Sequence, residues 1–256
     1  MSQRPTKYRL DQRLVDLGLA ENRSRAQSLI MAGLVFVDGH RIDTSGHAGA
    51  ADKPIEIKGQ DHPWVSRGGL KLAHGIETFG VAVENKICID VGASTGGFTD
   101  VLLQNGAAKV YAVDVGHGQL AWKLRSDERV IVLEKTNARH LSDAEIPEKV
   151  DVVVCDASFI GLATVLPAAL GCVRPGGWCI ALIKPQFEVG RSQVGKKGVV
   201  RDPELHMAVC NNTKNWFAET MDWLVQGVEK SPITGPEGNI EFLIAAHNVS
   251  PQIDAG

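Results

Sequence analysis

Four charged residues end strand-like runs and are expected to point into one crevice, where a sheet-forming chain commonly meets its ligand: Asp90, Asp114, Asp156 and Lys184. Lys184 follows the apolar run IALI, and Asp156 follows VDVVVC. Lys71 lies in SRGGLKL, and Glu241 lies in GNIEFL. A lone charge at a strand end is more often a solvated terminus. Ligands of open α/β sheets bind beyond the carboxyl ends of the strands, so several charges converging there favour a chemical site.

These residue types suit removal of a proton from a weakly acidic hydroxyl. A lysine can act as the base when it is neutral for part of the time, and burial near other cations favours that state by lowering its pKa. Carboxylates orient the lysine and the hydroxyl, although they oppose this lowering of the pKa. The sequence leaves open which of the two lysines is the base.

A glycine-rich turn precedes these residues, where the run ICIDVG continues into ASTGGFTD. Glycines at 92, 96 and 97 allow a tight turn and let a ligand approach main-chain N–H groups. The spacing is not the dinucleotide pattern G-x-G-x-x-G. Asp114 ends the next strand-like run, 22 residues after Gly92, where a carboxylate can accept hydrogen bonds from ribose hydroxyls. Such a turn alone also occurs for packing.

The elements that would position these groups alternate along the chain. The runs KICIDVG, KVYAVDV, RVIVLE, VDVVVCD and WCIALIK predict strands, with helices over 97–104, 117–126 and 161–173. A helix over 204–219 and two strands, in MDWLVQGVEKS and NIEFLIAAH, complete the pattern. We expect an α/β fold: a mostly parallel seven-stranded sheet, Rossmann-like, with helices on both faces.

The first sixty residues differ in pattern and charge. Helical spacing predicts helices over 9–18 and 24–32, the second capped by Asn22 or Ser24, and Asp38-Gly39 predicts a hairpin before the strand PIEIK. Residues 1–70 hold 10 Lys and Arg against 8 Asp and Glu, in a chain of net charge −3. A basic module on an acidic body suggests a local nucleic-acid contact, with a solvated helix face as the alternative.

Whole-chain features exclude several classes. No apolar run approaches the roughly 18 residues of a membrane span, and the amino-terminal end lacks a signal peptide's apolar centre, so we expect a cytoplasmic protein without a membrane partner. The eight histidines show no metal-ligand spacing, and we expect no metal. The cysteines have no CxxC pair, which favours reduced, packed thiols: Cys88, Cys155, Cys172, Cys179 and Cys210.

The stretch RLDQRLVDLGLAENRSRAQSLIMAGLVFVDGHRI resembles the S4 RNA-binding domain: two helices around an Arg-Ser-Arg turn, then a strand V-x-V-D-G. In that family a basic helical face grips folded RNA. Arginines there pair with phosphates and give affinity with little sequence discrimination. The resemblance implies these RNA-binding residues: Arg4, Lys7, Arg13, Arg23 and Arg25.

The set DVGASTGG with a downstream acidic strand end is similar to class I S-adenosylmethionine methyltransferases. The resemblance implies S-adenosylmethionine as cofactor. Asn137 occupies the place of an adenine contact that is commonly Asp, and a simple turn residue is the alternative. The expected cofactor-binding residues are Asp90, Gly92, Ala93, Ser94, Gly96, Gly97, Asp114, Asn137 and Asp156.

Lys71, Asp156, Lys184 and Glu241 match, in order and context, the K-D-K-E tetrad of FtsJ-like RNA 2′-O-methyltransferases. With the S4 module and the motifs DASFIG, IKPQFEVG and GPEGNIEFL, the chain resembles the TlyA family, whose members are often labelled hemolysins. This implies ribose methylation of ribosomal RNA, typically at cytidine, on free RNA or a ribosomal subunit. It also implies Lys184 as base, Asp156 and Lys71 arranging the substrate, and Glu241 supporting the lysines.

We expect an S4-like RNA-binding domain over 1–60, a linker over 61–66 and a methyltransferase domain over 67–256. A base or small-molecule methyltransferase is an alternative, although amino-group methylation commonly uses N/D-P-P-Y/F, and DASF here lacks prolines. A membrane-active hemolysin is disfavoured because no long cationic amphipathic helix is visible. The intact glycine turn and tetrad disfavour an RNA-binding protein with a degenerate methyltransferase fold.

Overall fold

The structure is a computed structural model that describes residues 7–20, 22–44, 46–50, 53–58 and 62–249. Arg4 lies outside the described residues, as does part of the predicted linker. The amino-terminal module contains β1 (Lys7–Arg9), α1 (Leu10–Asp16), α2 (Arg23–Met31), β2 (Val35–Val37), β3 (His40–Ile42), β4 (Ala48–Ala50) and β5 (Ile55–Ile57).

Local sequence signals account for the module. The Asn22 side chain accepts a hydrogen bond from the Arg25 N–H and so caps α2. Asp38 and Gly39 both have positive φ, 52° and 76°, as a two-residue hairpin between β2 and β3 requires. The predicted hairpin and the following strand are therefore confirmed, and β2 pairs with both β3 and β5.

A buried carboxylate ties the two module helices together. Asp11 is fully buried, and its Oδ2 accepts from Arg23 Nε at 2.9 Å, Gln27 Nε2 at 2.9 Å and Arg9 Nη2 at 3.0 Å. The hydrogen bonds from Arg9 hold the pKa of Asp11 well below its usual range, although burial opposes ionisation. Arg23 therefore has a structural contact within the module besides its predicted role with RNA.

The larger part of the chain begins with α3 and contains the main sheet. Its strands are β6 (Ile87–Val91), β7 (Lys109–Asp114), β8 (Val130–Glu134), β9 (Val150–Cys155), β10 (Val173–Ile183), β11 (Leu224–Lys230) and β12 (Phe242–His247). Its helices are α3 (Gly68–Phe79), α4 (Gly97–Gln104), α5 (Trp122–Arg125), α6 (Leu162–Val165), α7 (Pro167–Gly171), α8 (Pro185–Glu188) and α9 (Pro203–Asn215).

The seven strands lie in the order β11-β12-β10-β9-β6-β7-β8. β10, β9, β6, β7 and β8 are parallel, whereas β12 runs antiparallel between β10 and β11. The core strands are nearly continuous apolar runs because both sheet faces are covered: Ile89 and Val153 pack on one side, Cys88 and Val152 on the other. The predicted α/β sheet is confirmed, and its strand order reverses between β6 and β9, where ligands of such sheets bind.

Some predicted helices were wrong in extent. The helix expected over 117–126 is only the single turn α5, because Gly118 has φ 69° and donates its N–H to Glu134 Oε1. The helix expected over 161–173 is split into α6 and α7, where Pro167 supplies no N–H. The segment around Lys71 is the helix α3, which ends at Gly80 in the left-handed conformation.

All five cysteine thiols are free and buried. Burial raises the pKa of the Cys155 thiol to about 12 and raises the pKa values of Cys172 and Cys210 as well. Among the described helices, none combines the length and apolar character needed to cross a bilayer.

Replacing Asp11 with Asn should lower the stability of the module by about 1–3 kcal/mol, because the buried carboxylate that accepts from Arg9, Arg23 and Gln27 is replaced by a neutral amide. The folded-state pKa of Asp11 is depressed, so its contribution is present above the ordinary Asp pKa of about 3.9 and is lost as the pH falls through the lower, folded-state pKa. Native-state hydrogen exchange at the α1 and α2 amides of the full chain measures both effects.

Asp16→Asn, on an exposed part of the same helix, is the matched control. Equal exchange protection in the two variants at pH 7 would contradict the structural role of Asp11.

Candidate active site

The four tetrad residues lie together at the carboxyl edge of the parallel strands. Lys71 Nζ is 2.6 Å from Glu241 Oε2 and 3.7 Å from Asp156 Oδ2. Lys184 Nζ is 2.6 Å from Asp156 Oδ1. The side chains therefore form a chain of alternating charge, Glu241–Lys71–Asp156–Lys184.

Separate elements bring these side chains to one place. Asp156 follows β9, and its N–H donates to the Val91 carbonyl of β6. Lys184 ends the extended run of β10, and Pro185 begins α8 immediately afterwards. The charge that terminates this apolar strand thus lies at the sheet edge, where the chain turns away.

Glu241 enters the site directly before β12, which pairs antiparallel with β10. Gly235 makes room for it, because a Cβ at this position would overlap the Glu241 carboxylate. Sequence reasoning missed this requirement, since the two residues meet only after the chain has turned between them.

Because the tetrad is largely buried, each of its charges needs an opposite charge beside it. Lys71 and Lys184 are 7% and 6% exposed, and Glu241 is 1% exposed. Burial disfavours the ammonium form of Lys71, but Asp156 and Glu241 outweigh it and raise the pKa of Lys71. Burial likewise opposes ionisation of Asp156, yet Lys184 and Lys71 hold its pKa below the ordinary range. For Lys71, the opposition of the carboxylates that the sequence analysis described exceeds the effect of burial.

Ser158 is a further member of the site that sequence reasoning did not select. Lys184 Nζ donates to Ser158 Oγ at 2.9 Å and to the Asp156 carbonyl at 3.0 Å. These two acceptors and the Asp156 carboxylate surround the Lys184 ammonium. The available signal was the position of Ser158 two residues beyond the β9 acid.

Three tetrad residues, Lys71, Asp156 and Lys184, line a cavity of about 460 Å³, a size typical of small-molecule sites. Phe159, which is 90% exposed with φ 67°, stands at the cavity's rim. Asp43 of the amino-terminal module also lines the cavity. Arg67 joins the two parts, donating to Asp43 Oδ2 at 3.0 Å and to the Thr234 carbonyl at 2.7 Å.

The glycine turn forms another part of the cavity wall, through Gly92, Ala93, Ser94 and Gly97. Gly92 has φ 82°, and a Cβ there would lie 2.9 Å from the Ala157 Cα, so the turn at the end of β6 lies directly against the chain that follows β9. Gly96 lies behind this wall with φ 94°, where a Cβ would overlap Leu124.

Asp114 lies beside the glycine turn, as expected from its place at the end of β7. Its Oδ2 accepts from the Ser94 N–H at 2.8 Å, and its Oδ1 accepts from the Gly116 N–H at 2.6 Å. Each carboxylate oxygen keeps capacity for a second hydrogen bond. Asp114 and Ser94 line a small second cavity together with Glu134.

Two expected cofactor residues are placed differently. Asp90 does not point into the crevice as predicted: it is fully buried within β6, accepts from Thr99 Oγ1 at 2.7 Å, and lines neither cavity. Burial raises the pKa of Asp90 to about 7. Asn137 is exposed and accepts from the Arg139 N–H, starting a 3-10 turn over 138–140, as in the alternative interpretation of a turn residue. Cofactor contacts by Asp90 and Asn137 stay predictions.

The predicted RNA-binding residues that the structure describes lie on the amino-terminal module. Arg13 stacks over the Tyr8 ring, Arg23 pairs with Asp11, and Arg25 is exposed on α2. Only the backbone of Lys7 is described, as part of β1. Over the ranges that the structure covers, no cluster of three or more His, Cys, Asp or Glu side chains could hold a metal ion.

Residues 64–248 match the FtsJ-like methyltransferase family, and residues 9–48 match the S4 domain. The chain therefore belongs to the FtsJ-like methyltransferase family. The predicted resemblances to both domains are confirmed, whereas the exact domain limits stay a prediction.

Relatives extend over most of the chain. The 16S/23S rRNA (cytidine-2′-O)-methyltransferase TlyA of Mycobacterium tuberculosis is 48% identical over 92% of this chain and 88% of its own length. Hemolysin A of Brachyspira hyodysenteriae is 42% identical over 92% of this chain and 98% of its own length. A solved structure described as "Putative hemolysin" from Streptococcus thermophilus has TM-score 0.74 and 44% identity, covering 98% of this chain and 92% of that one. The predicted TlyA resemblance is confirmed.

Replacing Glu241 with Gln should destabilise the fold by about 3–5 kcal/mol, because Lys71 then keeps a buried charge without its nearest carboxylate. The double variant Lys71→Met/Glu241→Leu removes both charges and should recover most of that loss. Urea unfolding at pH 7 compares the free energies of unfolding. If Glu241→Gln is as stable as the unmodified chain, the Lys71–Glu241 ion pair does not stabilise the fold as expected.

The pH range over which Glu241→Gln lowers the stability follows from the pKa shifts of Asp156 and Lys71. The folded-state pKa of Asp156 is lowered, so its contribution is lost as the pH falls through that value; the pKa of Lys71 is raised, so its contribution is lost as the pH rises through that value. With ordinary values of about 3.9 and 10.4, the stability difference should be constant from about pH 5 to 9.

Proposed function

We propose that this chain transfers a methyl group from S-adenosylmethionine to a ribose 2′-hydroxyl of ribosomal RNA, at a cytidine. The observation that carries the proposal is the Glu241–Lys71–Asp156–Lys184 chain, of which Lys71, Asp156 and Lys184 line the same cavity as the glycine turn. The similarity to a protein named for cytidine 2′-O-methylation of rRNA supports the choice of substrate.

The residues present fit S-adenosylmethionine. The backbone of Gly92, Ala93 and Ser94 borders the cavity without a bulky side chain, and Asp114 has acceptor capacity left for ribose hydroxyls. The Asp156 carboxylate on the cavity wall complements a sulfonium charge. The cofactor would supply a methyl group on sulfonium sulfur, whose carbon–sulfur bond breaks as the new carbon–oxygen bond forms.

The tetrad gives the two lysines different tasks. Lys71 lies between two carboxylates and stays an ammonium, which holds Asp156 in place. Lys184 faces one carboxylate and two neutral acceptors, so fewer charges hold it than hold Lys71. Neutral Lys184 takes the proton from the 2′-hydroxyl, and Asp156 orients the resulting ammonium.

The substrate RNA would reach this pair past the exposed rim. Phe159 offers an uncovered ring next to the tetrad, where a base splayed out of the RNA can stack. The amino-terminal module would hold neighbouring RNA through Arg13, Arg23 and Arg25, whose guanidinium groups suit phosphates. The substrate can be free RNA or an assembled ribosomal subunit. The two differ in how much of the rim and of the amino-terminal module they would contact.

Incubation with labelled S-adenosylmethionine and ribosomal subunits, followed by nucleoside analysis, tests the proposal. We expect label on ribose, and Lys184→Met should lower kcat by about 10²–10⁴-fold because it removes the base. Cofactor affinity by calorimetry should be retained. Lys230→Met, an exposed lysine at the far edge of the sheet, is the control. Label on a base, or on no RNA, would overturn the proposal.

Replacing Ser158 with Ala should lower kcat by about 10- to 100-fold, because Lys184 Nζ loses the hydroxyl that helps to position it. Ser158→Thr keeps the hydroxyl and should keep most of the rate. Steady-state kinetics with ribosomal subunits measures kcat, and an unchanged kcat in Ser158→Ala would contradict this positioning role.

A further inference from the structure

A second large cavity, of about 590 Å³, lies between the amino-terminal module and the methyltransferase part of the chain. We call it the α2–α5 groove. One side is α2, and the other is the segment that leads into α5. Its polar lining comprises Asn22, Ser24, Arg25, Ser28, Thr95, Gln119 and Lys123, with Trp122 beside them. Thr95 also lines the tetrad cavity, so the groove and the site adjoin.

Trp122 is the prominent feature of this groove. Trp122 is 77% exposed, although a tryptophan side chain usually buries most of its apolar area. Its backbone is nevertheless held: the Ala121 N–H donates to the Thr95 carbonyl, and Leu124 is buried against the glycine turn. A large aromatic face is thus held open beside the site.

The groove is cationic although the chain carries net charge −3. Its described lining contains Arg25 and Lys123 and neither Asp nor Glu. Lys123 pairs with Asp100 at 2.9 Å, whereas the Arg25 guanidinium forms no ion pair with any residue that the structure describes. An open aromatic ring with a nearby guanidinium is the combination that binds single-stranded nucleic acid, through base stacking and phosphate contact.

We propose that the α2–α5 groove binds an unpaired segment of the substrate RNA, with one base stacked on Trp122 and a phosphate on Arg25. The inference rests on the proposed function and deepens it, because it gives the RNA a second contact that adjoins the methyl-transfer site. Flanking RNA held there would guide the target nucleotide to the tetrad.

Binding of the full chain to protein-free rRNA and to an unstructured oligoribonucleotide of about ten nucleotides tests the groove. Trp122→Ala should weaken binding by about 5- to 100-fold, and Trp122→Phe should keep most of the affinity because a ring remains. Arg25→Gln should reduce the slope of log affinity against log salt by about one. Met207→Ala and Lys230→Gln, exposed residues of α9 and β11, should leave binding unchanged.

Iodide quenching gives a readout that does not depend on methyl transfer. RNA stacked on Trp122 should protect part of the tryptophan emission from iodide in the unmodified chain. In Trp122→Phe, RNA should give no such protection. Protection that persists in this variant would overturn the stacking contact.

The two proposals fail in different ways. If the unmodified chain methylates ribose and both Trp122→Ala and Arg25→Gln bind rRNA as it does, the groove proposal is wrong and the proposed function stands. If the chain methylates no ribose while RNA still protects Trp122, the proposed function is wrong and RNA binding stands. If Trp122→Ala weakens binding to ribosomal subunits but not to protein-free rRNA, the groove binds protein, which contradicts the RNA assignment.

Discussion

Four charged side chains, three of them buried and one partly buried, can lie together at one sheet edge because their charges alternate. Glu241, Lys71, Asp156 and Lys184 each meet an opposite charge, and removal of any one leaves a neighbour charged in a place that water reaches poorly. The contributing segments are a helix, the ends of two parallel strands and the approach to an antiparallel one. Their ion pairs can form only in one arrangement of these segments, and the same arrangement sets the glycine turn of β6 against the chain after β9.

Lys71 and Lys184 carry the same charge but have different roles. Lys71 forms ion pairs with two carboxylates, which hold it as a structural cation. Lys184 forms an ion pair with one carboxylate and donates hydrogen bonds to two neutral acceptors, Ser158 Oγ and a backbone carbonyl. A positive ligand in the cavity would therefore act more strongly on the lysine that has fewer compensating charges. The difference between two chemically identical amines arises entirely from which neighbours the fold supplies.

Long apolar runs and strand-end charges made the sheet and the tetrad predictable, because a buried parallel strand needs continuous apolar residues and its end meets the ligand edge. Local patterns could not show how side chains orient. Asp90 meets α4 at its strand position, where it accepts a hydrogen bond from Thr99 Oγ1. The exposure of Trp122 could not be predicted either, because helical spacing near residue 120 does not reveal that glycines shorten α5 to one turn.

The five native thiols lie within the packed interior, and burial raises their pKa values. Since the thiolate is the form that reacts with alkylating reagents, these positions stay poorly reactive near neutral pH while the protein is folded. A single cysteine placed on the surface would therefore carry almost all of a maleimide label. Probes for cross-linking or distance measurement could be attached to the native chain without first replacing its own cysteines, and any slow extra labelling would report local opening of the core.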